Sequence, residues 1–159
     1  MQICLAFRQD IRGGKEVECY ARSFLRILQE KKHKVTTCGE GHTVPFLGEL
    51  NQKDFDLLIE IENGRNGKGE LLFQQSKANW IIPSAIWFID THGQENAHRH
   101  VAPHYKYVFF APWVKRDIFV DHPNTYWLPN CTDLKWFDRE KFKHILPRYD
   151  LGFHSSKMG

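Results

Sequence analysis

Asp90 and His92 stand two residues apart, directly after the apolar run Ala85 to Ile89. A carboxylate beside an imidazole can serve as a general base with its orienting partner, or can ligate a metal. The same pair also suits a plain loop in which the aspartate caps backbone N–H groups. His98, His100 and His104 follow closely, so a metal site has to be weighed against a merely histidine-rich segment. The four-residue step from His100 to His104 fits one helical face, but Pro103 between them opposes a regular helix. Two further stretches offer polar groups after an apolar run. Arg8, Gln9, Asp10, Arg12, Gly13 and Gly14 form the first, where glycines allow close backbone approach and a helix start would present free N–H groups to an anion. A tight turn explains the same residues, because the pattern is not the GxGxxG of dinucleotide sites. Leu128 to Asp133 form the second: Asn130, Thr132 and Asp133 could line a cleft, or belong to a turn built on Pro129 and Asn130.

Each of these stretches needs a strand to present it, and the hydropathy pattern supplies one. Gln2 to Phe7 reads as a buried strand, Lys15 to His33 as an amphipathic helix, and Lys34 to Cys38 as the next strand. Val17, Tyr20, Ala21, Phe24, Leu25 and Leu28 make the apolar face of that helix, with Glu16 and Glu18 ahead of Lys31 and Lys32 in the sense that favours the helix dipole. Strands are expected again at Phe55 to Ile61, Ala85 to Ile89, Lys106 to Phe110 and Thr125 to Leu128. Helical segments are expected at Gly69 to Lys77, Glu95 to Val101 and Trp113 to Val120. Continuous apolar strands alternating with helices point to an α/β fold, a Rossmann-like open parallel sheet with helices on both faces. In such sheets ligands bind outside the carboxyl ends of the strands, where all three polar stretches fall.

Composition narrows the function classes. The 159 residues hold 22 basic and 19 acidic side chains, dispersed rather than gathered into the basic stripe that nucleic acid requires, so no nucleic-acid partner is expected. Cys4, Cys19, Cys38 and Cys131 form no CxxC pair and read as reduced, mostly buried thiols. No signal peptide or membrane-spanning run is seen, which places the protein in the cytoplasm. Trp87, Trp113, Trp127 and Trp136 lie in apolar stretches and read as core or interface aromatics.

GGKEVECYARSFLRILQEKKHKV resembles the opening of glycosyltransferases with the GT-B fold, and WFIDTHGQENAHRHVAPHYKYVFFAPWVKRDIFVDHPNTYWLPNCTDLKWF is similar to CgeB-like (spore-maturation type) glycosyltransferases. The resemblance implies that residues 1–137 form the Rossmann-like N-terminal domain, with 138–159 an interdomain linker and the opening of a second domain at which the chain stops. It implies an enzyme that moves a sugar from a nucleotide-sugar donor to a hydroxyl acceptor, with no cofactor and no metal. Asp90 and His92 would be the catalytic bases. Arg12, Gly13, Gly14, Asn130 and Asp133 would contact the donor or lie near the hinge, although the family has a small apolar residue where Asn130 stands. The missing C-terminal domain would hold most of the donor, leaving this half inactive by itself and prone to dimerise through its uncovered docking face. Two other readings fit the residues: a non-enzymatic flavodoxin-like binding or regulatory module, and a metal-dependent hydrolase using Asp90, His92, His98 and His100.

Overall fold

A computed structural model describes residues 1–7, 9, 11–12, 15–16, 20–39, 41–43, 50–62, 80–89 and 94–130. Apolar β-branched and aromatic runs form six parallel strands: β1 (Gln2–Ala6), β4 (Lys34–Cys38), β5 (Leu57–Ile61), β6 (Ser84–Phe88), β7 (Tyr107–Phe110) and β8 (Thr125–Trp127). Their spatial order is β4-β1-β5-β6-β7-β8. The chain therefore steps from β1 to one side, returns across it to β5, and then builds outward in one direction. That reversal is a topological switch point beside β1, where parallel sheets open a crevice at the carboxyl ends of their strands.

Side chains alternate between the two faces with the period of a strand. Leu5, Phe7, Ile61 and Trp87 point to one face and meet Ala21, Phe24 and Leu25 of helix α1 (Tyr20–Glu30). Cys4, Ala6, Leu58, Ile86, Phe88, Val108 and Phe110 point to the other, beneath Val101 of helix α2 (Glu95–Val101) and the 3-10 turns Ala102–His104 and Trp113–Phe119. Phe88 is fully buried against the rings of His98 and Phe119, with centroids 4.4 and 5.0 Å away. Covered on both faces, the central strands have no use for the polar alternation of a half-exposed sheet. The edge strand β4, Lys-Val-Thr-Thr-Cys, does keep it.

The α/β class, the six strands and both described helices agree with the sequence reading, α2 to the residue. The opening of α1 does not. Ile11–Arg12 (β2) and Lys15–Glu16 (β3) pair antiparallel, closing a two-residue connection at positions 13–14, and the helix starts five residues later than the apolar pattern suggests, at Tyr20. A Gly-Gly pair flanked by residues able to extend favours such a hairpin over a helix start. In consequence Glu16 lies in β3, and α1 has neither an acidic first turn nor a basic last turn, contrary to the dipole pattern expected of it. On its surface Arg26 pairs with Glu30 at 2.6 Å. The expected helix at Gly69 to Lys77 and residues 138–159 lie outside the described residues. Among the described residues no helix is long and apolar enough to cross a membrane.

Candidate active site at the carboxyl edge of the sheet

Because all six strands run the same way, everything that follows them collects along one edge. Phe7 and Gln9 follow β1, Gly39 to His42 follow β4, Glu62 follows β5, Ile89 follows β6, Ala111 to Trp113 follow β7, and Leu128 to Asn130 follow β8. Several of these exits are tied to one another. Phe7 donates its N–H to the Cys38 carbonyl at 3.0 Å, and Glu62 donates its N–H to the Trp87 carbonyl at 3.0 Å. The Trp87 indole N–H donates to the Leu128 carbonyl at 3.0 Å, bridging the ends of β6 and β8 over the intervening β7.

Beside the switch point the backbone of the β4 exit lies on that of the β1 exit. Gly39 has φ +126°, and a Cβ there would stand 2.2 Å from the Phe7 carbonyl oxygen; at Gly41, φ +86°, the nearest atom to a Cβ would be Gln9 Cβ at 3.0 Å. Only glycine tolerates both the dihedral and the approach. Gly39→Ala is expected to cost at least about 2 kcal/mol, and Gly41→Ala about 1 kcal/mol, in urea unfolding. A reversed order of the two would show that the loops do not meet in this way.

Beneath the edge lies a set of polar side chains in the core. Glu60 and Glu62 are two residues apart on β5 and its exit, so both face α2. Glu62 takes His98 Nε2 on one oxygen at 3.0 Å and accepts the Ile89 N–H on the other at 3.1 Å, with both side chains essentially fully buried. Tyr105 donates its hydroxyl to Glu60. Burial lifts the Glu60 carboxyl to about 8, more than offsetting the Tyr105 hydrogen bond, and the neighbouring Glu62 adds to the lift. Burial and the Glu60 charge likewise hold Tyr105 well above the usual phenol range. Cys4 and Cys38 are free, buried thiols with sulfurs 3.6 Å apart, as the sequence suggests, and contact with Cys38 and burial keep Cys4 protonated.

The residues expected to carry the chemistry are distributed unevenly over this edge. Asp90, His92, Gly13, Gly14 and Asp133 lie outside the described residues, as does the side chain of Arg12, whose backbone is in β2. Asn130 is exposed just beyond β8. Four strand spacings separate β8 from β1, about 19 Å, so Asn130 leaves the sheet far from the exit of β1. Of the histidines weighed as metal ligands, His98 is buried on Glu62 while His100 is exposed, so the helix turns the two to different surroundings. Among the described residues no three His, Cys, Asp or Glu side chains gather to hold a metal. The Asp-x-Asp triplet Asp54-Phe55-Asp56 precedes β5 at the opposite edge, where Asp56 accepts the Gln2 N–H at 2.7 Å. Hollows of about 450 and 490 Å³ also open at that amino edge, beside Tyr105 and Lys106. In the second, His122 is engaged on both ring nitrogens, with the Tyr105 carbonyl at 2.9 Å and the Asn124 N–H at 3.3 Å.

Trp87 is core, as expected, whereas Trp113 and Trp127 are each 52% exposed and meet edge to face at 5.4 Å. β8 is the outermost strand on that side, and among the described residues no further strand pairs with it. Sequence reasoning passed over Glu60, Glu62 and His42, the last lying against Phe7. The acids had a signal: two carboxylates at strand period inside the otherwise apolar LLIEIE place both on one covered face. No protein-family model, curated protein or solved structure matches the chain.

Proposed function

We propose that this chain is the acceptor-side, Rossmann-like domain of a glycosyltransferase that moves a sugar from a nucleotide-sugar to a hydroxyl. The observation that carries the reading is the hydrogen bond from Trp87 to the Leu128 carbonyl. The two stretches most like the CgeB-like family, WFIDTH and WLPN, are 40 residues apart from Trp87 to Trp127, and this bond joins the carboxyl ends of their strands, β6 and β8, across β7. In the proposed reaction Asp90 or His92 takes the proton of the acceptor hydroxyl, whose oxygen attacks the anomeric carbon as the nucleoside diphosphate departs with the bonding electrons. Backbone amides and cations stabilise the leaving diphosphate. A second domain supplies most of the donor site.

Nucleoside diphosphates and their sugar conjugates, screened by thermal shift against this chain and against the chain joined to its second domain, test the proposal. A ligand at a hundredfold excess over its dissociation constant stabilises by about 2.7 kcal/mol. Stabilisation of the joined protein, with nucleoside diphosphate release lowered at least about a hundredfold by Asp90→Asn or His92→Ala, is the expected result. Turnover by residues 1–159 alone, or no response from either protein, overturns it. The strand order supports a second reading, because β4-β1-β5-β6-β7 is the order of flavodoxin-like binding modules. That reading predicts full ligand affinity in this chain alone.

A further inference from the structure

Two hollows flank the segment Pro103 to Lys106 at the amino edge of the sheet, a strand length from the candidate site, about 13 Å over the four residues of β7. The larger, of about 490 Å³, falls in the size range of clefts that hold small ligands. Its apolar lining joins the core residues Ala102, Ile118 and Phe119 to the exposed Pro103 and Pro123. Hydrogen bonds fix the wall that faces β8. Asn124 donates its N–H to His122 Nδ1 at 3.3 Å, so the imidazole is neutral, carries its proton on Nε2 and donates it to the Tyr105 carbonyl at 2.9 Å. The Val108 N–H donates to the Asn124 carbonyl at 2.9 Å, and the Thr125 hydroxyl to the His122 carbonyl at 3.1 Å. Collapse of the hollow would break these bonds, so its shape is built in.

The permanent charges of the lining are Arg99, Lys106 and Asp121. Among the described residues no ion pair joins either cation to Asp121 or to another carboxylate, and Lys106 Nζ lies over the Tyr107 ring at 5.3 Å. Positive charge is therefore in excess beside an apolar surface. The smaller hollow shares Lys106 but has no second permanent cation.

We propose that the larger hollow binds a small organic anion with an apolar body, of the aryl phosphate type, its charge paired with Arg99 and Lys106 and its ring against Pro103, Ile118 and Phe119. An anion complements the excess positive charge, and an apolar ring removes water from surface that the protein leaves uncovered. This is a second site, separate from the carboxyl edge, and it does not rest on the sugar-transfer reading.

Phenyl phosphate titrated into nitrogen-15-labelled protein, followed by the backbone amide resonances, tests it. Saturable shifts at Arg99, Lys106 and Asn124 are expected, with phenol and inorganic phosphate each binding at least about tenfold more weakly, a difference of about 1.4 kcal/mol. The double variant Arg99→Gln, Lys106→Gln changes two exposed side chains and should weaken phenyl phosphate by the same factor while leaving phenol unchanged. Inorganic phosphate binding as tightly as phenyl phosphate would reduce the hollow to a bare anion contact and overturn the proposal, as would undiminished binding to the double variant. Shifts confined to the carboxyl edge, at Ile89 and Leu128, or no saturable shift at all, overturn it too. The comparison of the three probes on the wild-type chain decides even if the variant does not fold. A nucleoside diphosphate is read in the same spectra at the carboxyl edge, so this inference and the glycosyltransferase reading can each fail alone.

Discussion

Unfolding free energies measured between about pH 5 and pH 9 are expected to fall as the pH rises, and Glu60→Gln is expected to abolish most of that slope. In the folded chain burial holds the Glu60 carboxyl at about 8, against an ordinary value of 4.5. Between those two pH values the folded state carries a proton that the unfolded chain has released, so raising the pH favours unfolding. Each pH unit in that window removes about 1.4 kcal/mol, and the loss is complete once the pH passes the folded value. Glutamine in place of Glu60 still accepts from Tyr105 but cannot ionise. Urea denaturation of both proteins at several pH values checks this, and an equal slope in the two would show that Glu60 is not the group responsible. The direction is diagnostic, since a carboxylate held by a cation would lose stability on acidification.

Glu62→Ala is expected to lower stability by about 2–5 kcal/mol, the cost of leaving two buried hydrogen-bond partners, His98 Nε2 and the Ile89 N–H, without their acceptor. Its carboxylate serves two partners at once, His98 Nε2 at 3.0 Å and the Ile89 N–H at 3.1 Å. Through them it joins the exit of β5 to the end of β6 and to α2. Glu62→Gln keeps an acceptor and should cost only about 1–2 kcal/mol. Removing His98 as well should cost far less than the two single changes added together, because the pair shares one interaction. Chemical denaturation of the four proteins measures the coupling; a Glu62→Ala variant within about 1 kcal/mol of wild type would mean that the pair contributes nothing.

The six parallel strands and α2 were legible to within two residues, whereas α1 runs Tyr20–Glu30 against the expected Lys15 to His33. Apolar runs such as AIWFI have the length of a buried strand, and ENAHRHV, with Glu95 in its first turn and His98, Arg99 and His100 in its last, has charges placed as a helix favours. The start of α1 was not legible, because Lys15 and Glu16 pair with Arg12 and Ile11 instead of joining the helix. Each polar stretch follows a strand in sequence, although Arg12 of the first lies in β2. Which of them come together was invisible, since strand order is a long-range property: Leu128 meets Trp87, while Asn130 leaves the sheet four strand spacings from β1.

By itself, then, the amino-acid pattern determined an α/β chain with parallel, doubly covered strands, because local period and burial are encoded residue by residue. Tertiary structure alone decided three further things: the switch point beside β1, the burial of Glu60 and Glu62 on Tyr105 and His98, and the unpartnered Nε2 of His42 on Phe7. Each depends on partners distant in sequence, 45 residues for Glu60 and 36 for Glu62. The state of a buried acid or imidazole follows from desolvation and from the dipoles that surround it, and those exist only after the chain has folded.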